Sequence, residues 1–166
     1  MCFGQILKVA QLLLCTGVYT TVSVYILAKM RGIVMLEQLI KNGFGKEEDY
    51  NCAEKVLYGA NEVYGLGLDT KALKMAAAFG GGMGTGRTCG AVAAALMVIG
   101  AVKTEKVAHQ SPEVKAMAVK FQEDYEGRMK SIDCAPLKEM HADETIGCSK
   151  IIETAAEVLD QLMAEV

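Results

Sequence analysis

Residues 91–102 are apolar on every side of a would-be helix, interrupted only by Gly100. A helix with no polar face needs neighbours all round it to be stable in water. That segment commits the chain to a bundle with this helix at its centre. The run leading into it is Phe79-Gly-Gly-Gly-Met-Gly-Thr-Gly-Arg-Thr-Cys89-Gly90. A glycine-rich loop therefore ends on a thiol where the central helix begins. Unpaired backbone N–H groups and the positive end of the helix dipole favour thiolate there. Thiolate is the reactive and metal-binding form of cysteine, so the junction points to redox or metal chemistry.

The remaining pattern is helical. Apolar residues make up 52% of the chain and aromatics 6%, with no Trp. The apolar content comes mainly from Ala, Leu, Val, Ile and Met, a mix that favours helix over strand. Residues 36–42 read as a short helix ended by Gly43. Asp49 reads as the N-cap of a helix to Tyr64, with Ala53, Val56, Leu57, Ala60 and Val63 at helical spacing. Asp69 or Thr70 opens the next, running to Phe79. Ser111-Pro112-Glu113 combines an N-cap, a first-turn proline and a first-turn acid. The buried stripe of that helix is Val114, Met117, Ala118, Phe121 and Tyr125. Cys134-Ala-Pro136 reads as a loop, and Thr145 or Ser149 starts a last helix with Ile151, Ile152, Ala155, Leu159, Leu162 and Met163 inside. No segment alternates as a strand. The expectation is all-α: a single compact bundle of five or six helices, with the Gly-rich loop before a central apolar helix.

Residues 1–35 differ in character. Residues 9–28 carry no charge and are long enough to contact or span a bilayer, with Lys29 and Arg31 following. Gln11, Thr16, Thr20, Thr21 and Ser23 weaken that reading. The leader reads as a membrane anchor, a structured helix, or an extension upstream of a start at Met30 or Met35. Residues 36–166 form the domain that carries the chemistry. Net charge is −3 with no basic run, so nucleic acid is not an expected partner. A homodimer stays open.

Six cysteines occur: Cys2 and Cys15 in the leader, then Cys52, Cys89, Cys134 and Cys148. Their wide spacing in a long, apolar chain fits reduced, functional thiols in the cytoplasm better than disulfide staples. Cys52, Cys89 and Cys148 fall at expected helix N-termini, each end worth about 0.3–1 kcal/mol to an anionic sulfur. Cys134 falls in the loop before Pro136. No C-x-x-C is present, so any dithiol or metal site must be assembled by the fold. Four thiolates can hold an iron–sulfur cluster or another metal. Two can instead form a reversible disulfide with the others as exchange partners. Spacing alone leaves these open, as it leaves open an inert set of core cysteines.

Asn51-Cys52-Ala53, the glycine run, Cys89-Gly90-Ala91 and the single cysteines 134 and 148 together resemble the C_GCAxxG_C_C family of redox-active proteins. The resemblance covers about residues 36–166. It implies small bacterial and archaeal proteins, often encoded near transporter genes, with Cys52, Cys89, Cys134 and Cys148 as the characteristic cysteines. The family's Cys-Gly-Ala-x-x-Gly pattern ends here on Ala94 instead of glycine. A more distant likeness is to the helical core of split-Soret cytochromes, but C-x-x-C-H is missing, so covalent haem attachment is not supported.

Gly81-Gly-Met-Gly-Thr-Gly86-Arg87-Thr88 differs from a phosphate-binding P-loop by arginine in place of lysine, and no strand precedes it. Gly82, Gly84, Gly86 and Arg87 are still candidates for cradling an anionic cofactor or cluster. Arg87 is placed to lower the Cys89 pKa, and His141 is a candidate fifth ligand. The reading is a redox protein whose four cysteines act in electron transfer or thiol chemistry, through an iron–sulfur cluster or other bound metal or without one. Cys89 is expected to be the most activated thiol, and the redox partner is unidentified and transport-associated. The alternative is a non-catalytic thiolate metal carrier or sensor linked to transport.

Overall fold

A computed structural model of the chain describes residues 35–165. The leader, its proposed bilayer contact through residues 9–28 and Cys2 and Cys15 lie outside the described residues. Among the described residues there are seven α-helices and no strand: α1 (Leu36–Lys41), α2 (Cys52–Tyr64), α3 (Thr70–Lys74), α4 (Gly90–Lys103), α5 (Pro112–Met129), α6 (Cys134–His141) and α7 (Ser149–Ala164). The all-α expectation holds. No described helix is long and apolar enough to cross a membrane.

The apolar helix α4 lies at the centre, against α2, α5 and α7. Its residues Ala91, Val92, Ala94, Ala95, Val98 and Ile99 are fully buried. Small side chains along its first half let the neighbouring helices approach closely. Phe121, Tyr125 and Met129 close the core from α5, while Val114, Met117 and Ala118 are only half-buried. Ile151, Ala155, Ala156, Leu159 and Leu162 close it from α7.

Short α1 is held by a side chain from the far end of the chain. Asp160 of α7 is 3% exposed and accepts hydrogen bonds from Leu36 N (2.9 Å), Glu37 N (2.8 Å) and the Tyr64 hydroxyl (2.7 Å). Its carboxylate caps the α1 N-terminus from another helix, satisfying donors that would otherwise be orphaned. Burial pushes Asp160 above the usual carboxylate range, and those hydrogen bonds pull against the rise.

Several boundaries differ from the sequence reading. The α2 N-cap is Asn51; Asp49 sits two residues earlier in the turn with φ +57°. Residues 69–79 start on Asp69, whose Oδ1 accepts from Ala72 N, but only residues 70–74 are α-helical and Met75–Phe79 tightens to 3₁₀. Ser111 gives no side-chain cap to α5; its hydroxyl donates back to Val107 O and accepts from Glu105 N. The segment read as a loop at Cys134-Ala-Pro136 is the first turn of α6. Proline there is tolerated because first-turn N–H groups have no helical acceptor.

Candidate functional site

Each of the four cysteines stands at a helix start. Cys52 and Cys134 are the first residues of α2 and α6, and Cys89 and Cys148 are the N-caps of α4 and α7. All four line one cavity of about 450 Å³. The sequence reading had three at helix ends; the helical first turn at Pro136 adds the fourth.

The α2 start is set by a capping box. Asn51 Oδ1 accepts from Ala53 N (2.9 Å) and Glu54 N (3.1 Å), and Glu54 Oε2 accepts from Asn51 N (2.9 Å). Asn51 Nδ2 also donates to Ala77 O (3.0 Å), tying α2 to the 3₁₀ turn that feeds the glycine loop. Cys52 is thereby fixed beside the start of α4. Gly90 makes the approach feasible: a Cβ there would lie 2.8 Å from Cys52 Sγ and 2.5 Å from Phe79 O.

A short antiparallel bridge brings in Cys134. Cys89 N donates to Ile132 O (2.8 Å) and Cys134 N to Arg87 O (2.7 Å), pairing Thr88 with Asp133. Gly82 packs under this bridge; a Cβ on it would lie 2.4 Å from Arg87 O and 2.7 Å from Cys134 Cβ. Cys148 follows a turn organised by Asp143, whose Oδ1 accepts from Thr145 N (2.7 Å) and Ile146 N (2.8 Å). That turn forms one wall of the cavity.

Cys52 and Cys89 both line the cavity, and the state of each thiol depends most on the other. The Cys89 thiol donates to Cys52, and this bond, helped by the Gly81, Ala53 and Ala91 N–H groups against the cost of burial, lowers the Cys52 pKa from 9.0 to about 6. Cys89 moves the other way. Donation to Cys52, burial and the Cys52 charge all hold its proton, despite its Ala91 and Val92 N–H neighbours. Burial likewise pushes the Cys134 and Cys148 thiols up, against the pull of Lys138 on both. Within the pair the direction favours Cys52 as the thiolate, where the sequence pointed to Cys89. At Cys134, which is 5% exposed, desolvation outweighs the helix end; at Cys89, 2% exposed, Cys52 does so first and burial second. Cys52 is half-buried and reaches the cavity.

Tyr125, read from sequence only as a core residue, lies close behind the site. Its hydroxyl donates to Ile151 O (3.2 Å), and burial, then the charges of Cys89, Cys52, Cys148 and Cys134, raise its pKa. Its side chain senses all four sulfurs. Lys46, Lys55 and Lys138 also line the cavity and were not singled out from sequence, since lone lysines in polar stretches carry no local signal.

Gly82, Gly84, Gly86 and Arg87 do not line the cavity; Gly81 does. The loop's glycines serve the chain path. Gly81, Gly82, Gly84 and Gly86 have φ of +62° to +75°, and Gly82 and Gly86 pack on Cys134 and Ala135. Gly82 and Gly86 thus have a packing role, and Arg87 contributes its carbonyl to the bridge. His141 Nε2 hydrogen-bonds Met129 O (3.0 Å) and is not on the cavity.

The family model described as "Putative redox-active protein (C_GCAxxG_C_C)" matches residues 50–162, more than half of the chain. The chain belongs to that family. No curated protein and no solved structure matches it. The segment matched contains all four cysteines of the cavity, so the residues that define this C_GCAxxG_C_C protein's membership are those the fold gathers.

The donor chemistry of the cavity, four sulfurs, is that of a thiolate metal or iron–sulfur site. Among the described residues no three Cys, His, Asp or Glu side chains are grouped so as to hold a metal ion. The strongest interaction among the four is between Cys52 and Cys89.

Proposed function

We propose that this C_GCAxxG_C_C protein is a thiol–disulfide oxidoreductase whose redox couple is Cys52 and Cys89. The observation that carries the reading is the pairing itself: half-buried Cys52 and buried Cys89 line one cavity at adjoining helix starts, and their interaction favours thiolate at Cys52. An attacking thiol is most effective when its pKa lies near ambient pH. Cys52 meets that condition and Cys89 does not.

In the reducing direction the Cys52 thiolate attacks one sulfur of a disulfide. A Cys52–substrate mixed disulfide forms and the first substrate thiolate leaves, taking a proton from solvent. Cys89 then attacks Cys52 Sγ, its proton passing to the second leaving sulfur. The products are a Cys52–Cys89 disulfide and two substrate thiols, so two electrons have moved. An external dithiol returns the pair to its reduced form by the reverse exchange. A resting dithiol of this kind belongs in a reducing compartment. Cys134 and Cys148, held as neutral thiols, are reserve exchange partners across the same cavity.

Trapping tests the order of events. With a small disulfide in excess, Cys89→Ser should accumulate a mixed disulfide at Cys52, located by peptide mass spectrometry, and Cys52→Ser should accumulate none at Cys89. The wild-type protein should instead show an internal 52–89 bridge. Anaerobic purification with a stoichiometric metal, or with broad visible absorption that disappears in Cys52→Ser, would overturn the dithiol reading in favour of a thiolate metal site.

A further inference from the structure

We propose that the disulfide reduced at Cys52 is a small molecule bearing negative charge, one with carboxylate groups flanking its S–S bond. The proposal rests on the dithiol reading above and adds the size and charge of what that pair meets. The cavity volume of about 450 Å³ is in the range of small-molecule sites. Its floor carries Leu137, Ile151 and Ile152, apolar surface suited to methylene groups and sulfur.

The charge argument comes from what lines the cavity and what does not. Lys46, Lys55 and Lys138 reach it from three places: the turn before α2, α2 itself and α6. No Asp or Glu lines it. Among the described residues none of the three lysines has a carboxylate within ion-pair distance, whereas Lys41, Lys103, Lys120 and Arg128 do. Among the described residues, three lysines without an ion-pair partner thus line one cavity in a protein of net charge −3.

They are not needed to ionise Cys52. That sulfur is held chiefly by the Cys89 thiol and by backbone N–H groups. The field of Lys138 reaches the far wall at Cys134 and Cys148, and that of Lys55 reaches Cys148. An anionic disulfide approaching a thiolate is repelled by it. Lysines lining the same cavity offset the repulsion and draw the flanking carboxylates to themselves. The bonds made and broken are those of the exchange already given.

Three symmetric disulfides of similar size separate charge from reactivity: dithiodiglycolate (anionic), bis(2-hydroxyethyl) disulfide (neutral) and cystamine (cationic). The readout is the rate of oxidation of the full-chain protein, followed by loss of free thiol. At low ionic strength the anionic reagent should react about tenfold faster than the neutral one, after correction for their rates with a free low-pKa thiol, and the cationic reagent slower still. Lys55→Gln and Lys138→Gln should each lower the anionic-to-neutral ratio, and the double variant should lower it further, toward one. Lys71→Gln, on α3 away from the cavity, should leave the ratio as it is. Equal corrected rates for the three reagents, or a ratio unmoved in the double variant, would overturn the proposal while leaving the dithiol reading intact. Equal rates here combined with efficient oxidation by a protein disulfide would assign the site to a macromolecular partner. Failure of the neutral reagent to oxidise Cys52 and Cys89 at all would instead sink the dithiol reading.

Discussion

The sulfur of Cys52 is surrounded by donors, and the consequences can be measured one residue at a time. Alkylation of Cys52 by iodoacetamide should rise with pH through an inflection near 6, and in Cys89→Ala that inflection should move upward because its largest cause is gone. The same shift makes stability depend on pH. A thiol whose folded pKa lies below its unfolded value adds stability that is fully present above 9.0 and is lost as pH falls through about 6. Cys89 is shifted the other way; its contribution is present below the ordinary thiol value and is lost only above it. The reduced protein should therefore gain resistance to urea between those two pH values, checked by denaturation midpoints under reductant. Gly90 offers a steric test. Alanine there meets Phe79 O at 2.5 Å and Cys52 Sγ at 2.8 Å, so Gly90→Ala should cost about 1–3 kcal/mol and raise the Cys52 inflection. Gly100→Ala, on the same helix with nothing within 4 Å, should be neutral or stabilise by up to about 1 kcal/mol. The contrast separates the close approach from glycine's general effect on a helix.

At the scale of elements, the site depends on how helix starts are tied to one another. Asn51 holds the start of α2 and, through Ala77 O, the entry to the glycine loop. Asn51→Ala should lower stability by about 1–2 kcal/mol in urea denaturation. It should also slow internal disulfide formation between Cys52 and Cys89, since the α2 start is then free to shift against α4. Asp160 is a comparison far from the cavity. Its loss leaves Leu36 N, Glu37 N and the Tyr64 hydroxyl without their acceptor, and Asp160→Ala should cost about 2–4 kcal/mol. Thiol reactivity at Cys52 should be unchanged in that variant at temperatures where it is folded. A loss of stability without a change in Cys52 chemistry distinguishes bundle integrity from assembly of the site.

For the molecule as a whole, net charge and local field have opposite signs. The chain carries −3, yet lysines and no Asp or Glu line its cysteine-lined cavity. Oxidation by an anionic disulfide should therefore slow as ionic strength rises from about 0.01 M to about 0.15 M, because screening removes the local attraction. With the neutral reagent the rate should stay nearly flat. Much of this molecule could be read from the chain. The unbroken apolar surface of residues 91–102 required a central helix, and the period of the flanking stripes supplied its neighbours, because burial is written into side-chain polarity. The four cysteines at helix starts were also largely legible, since capping residues and glycines mark where helices begin. Their chemistry was not. Helix position alone favoured thiolate at Cys89; the fold buried that sulfur beside Cys52 and shifted the balance toward Cys52, because desolvation and a neighbouring thiol depend on which distant segments meet. Tyr125 and the three lysines joined the site for the same reason: their neighbours are remote in sequence and close only once the bundle has formed. Sequence by itself determined the class of fold and the atoms available for chemistry. Tertiary structure decided which sulfur is ionised, which one faces it and what charge surrounds them, because solvation and electrostatics are properties of surroundings that a linear chain does not yet have.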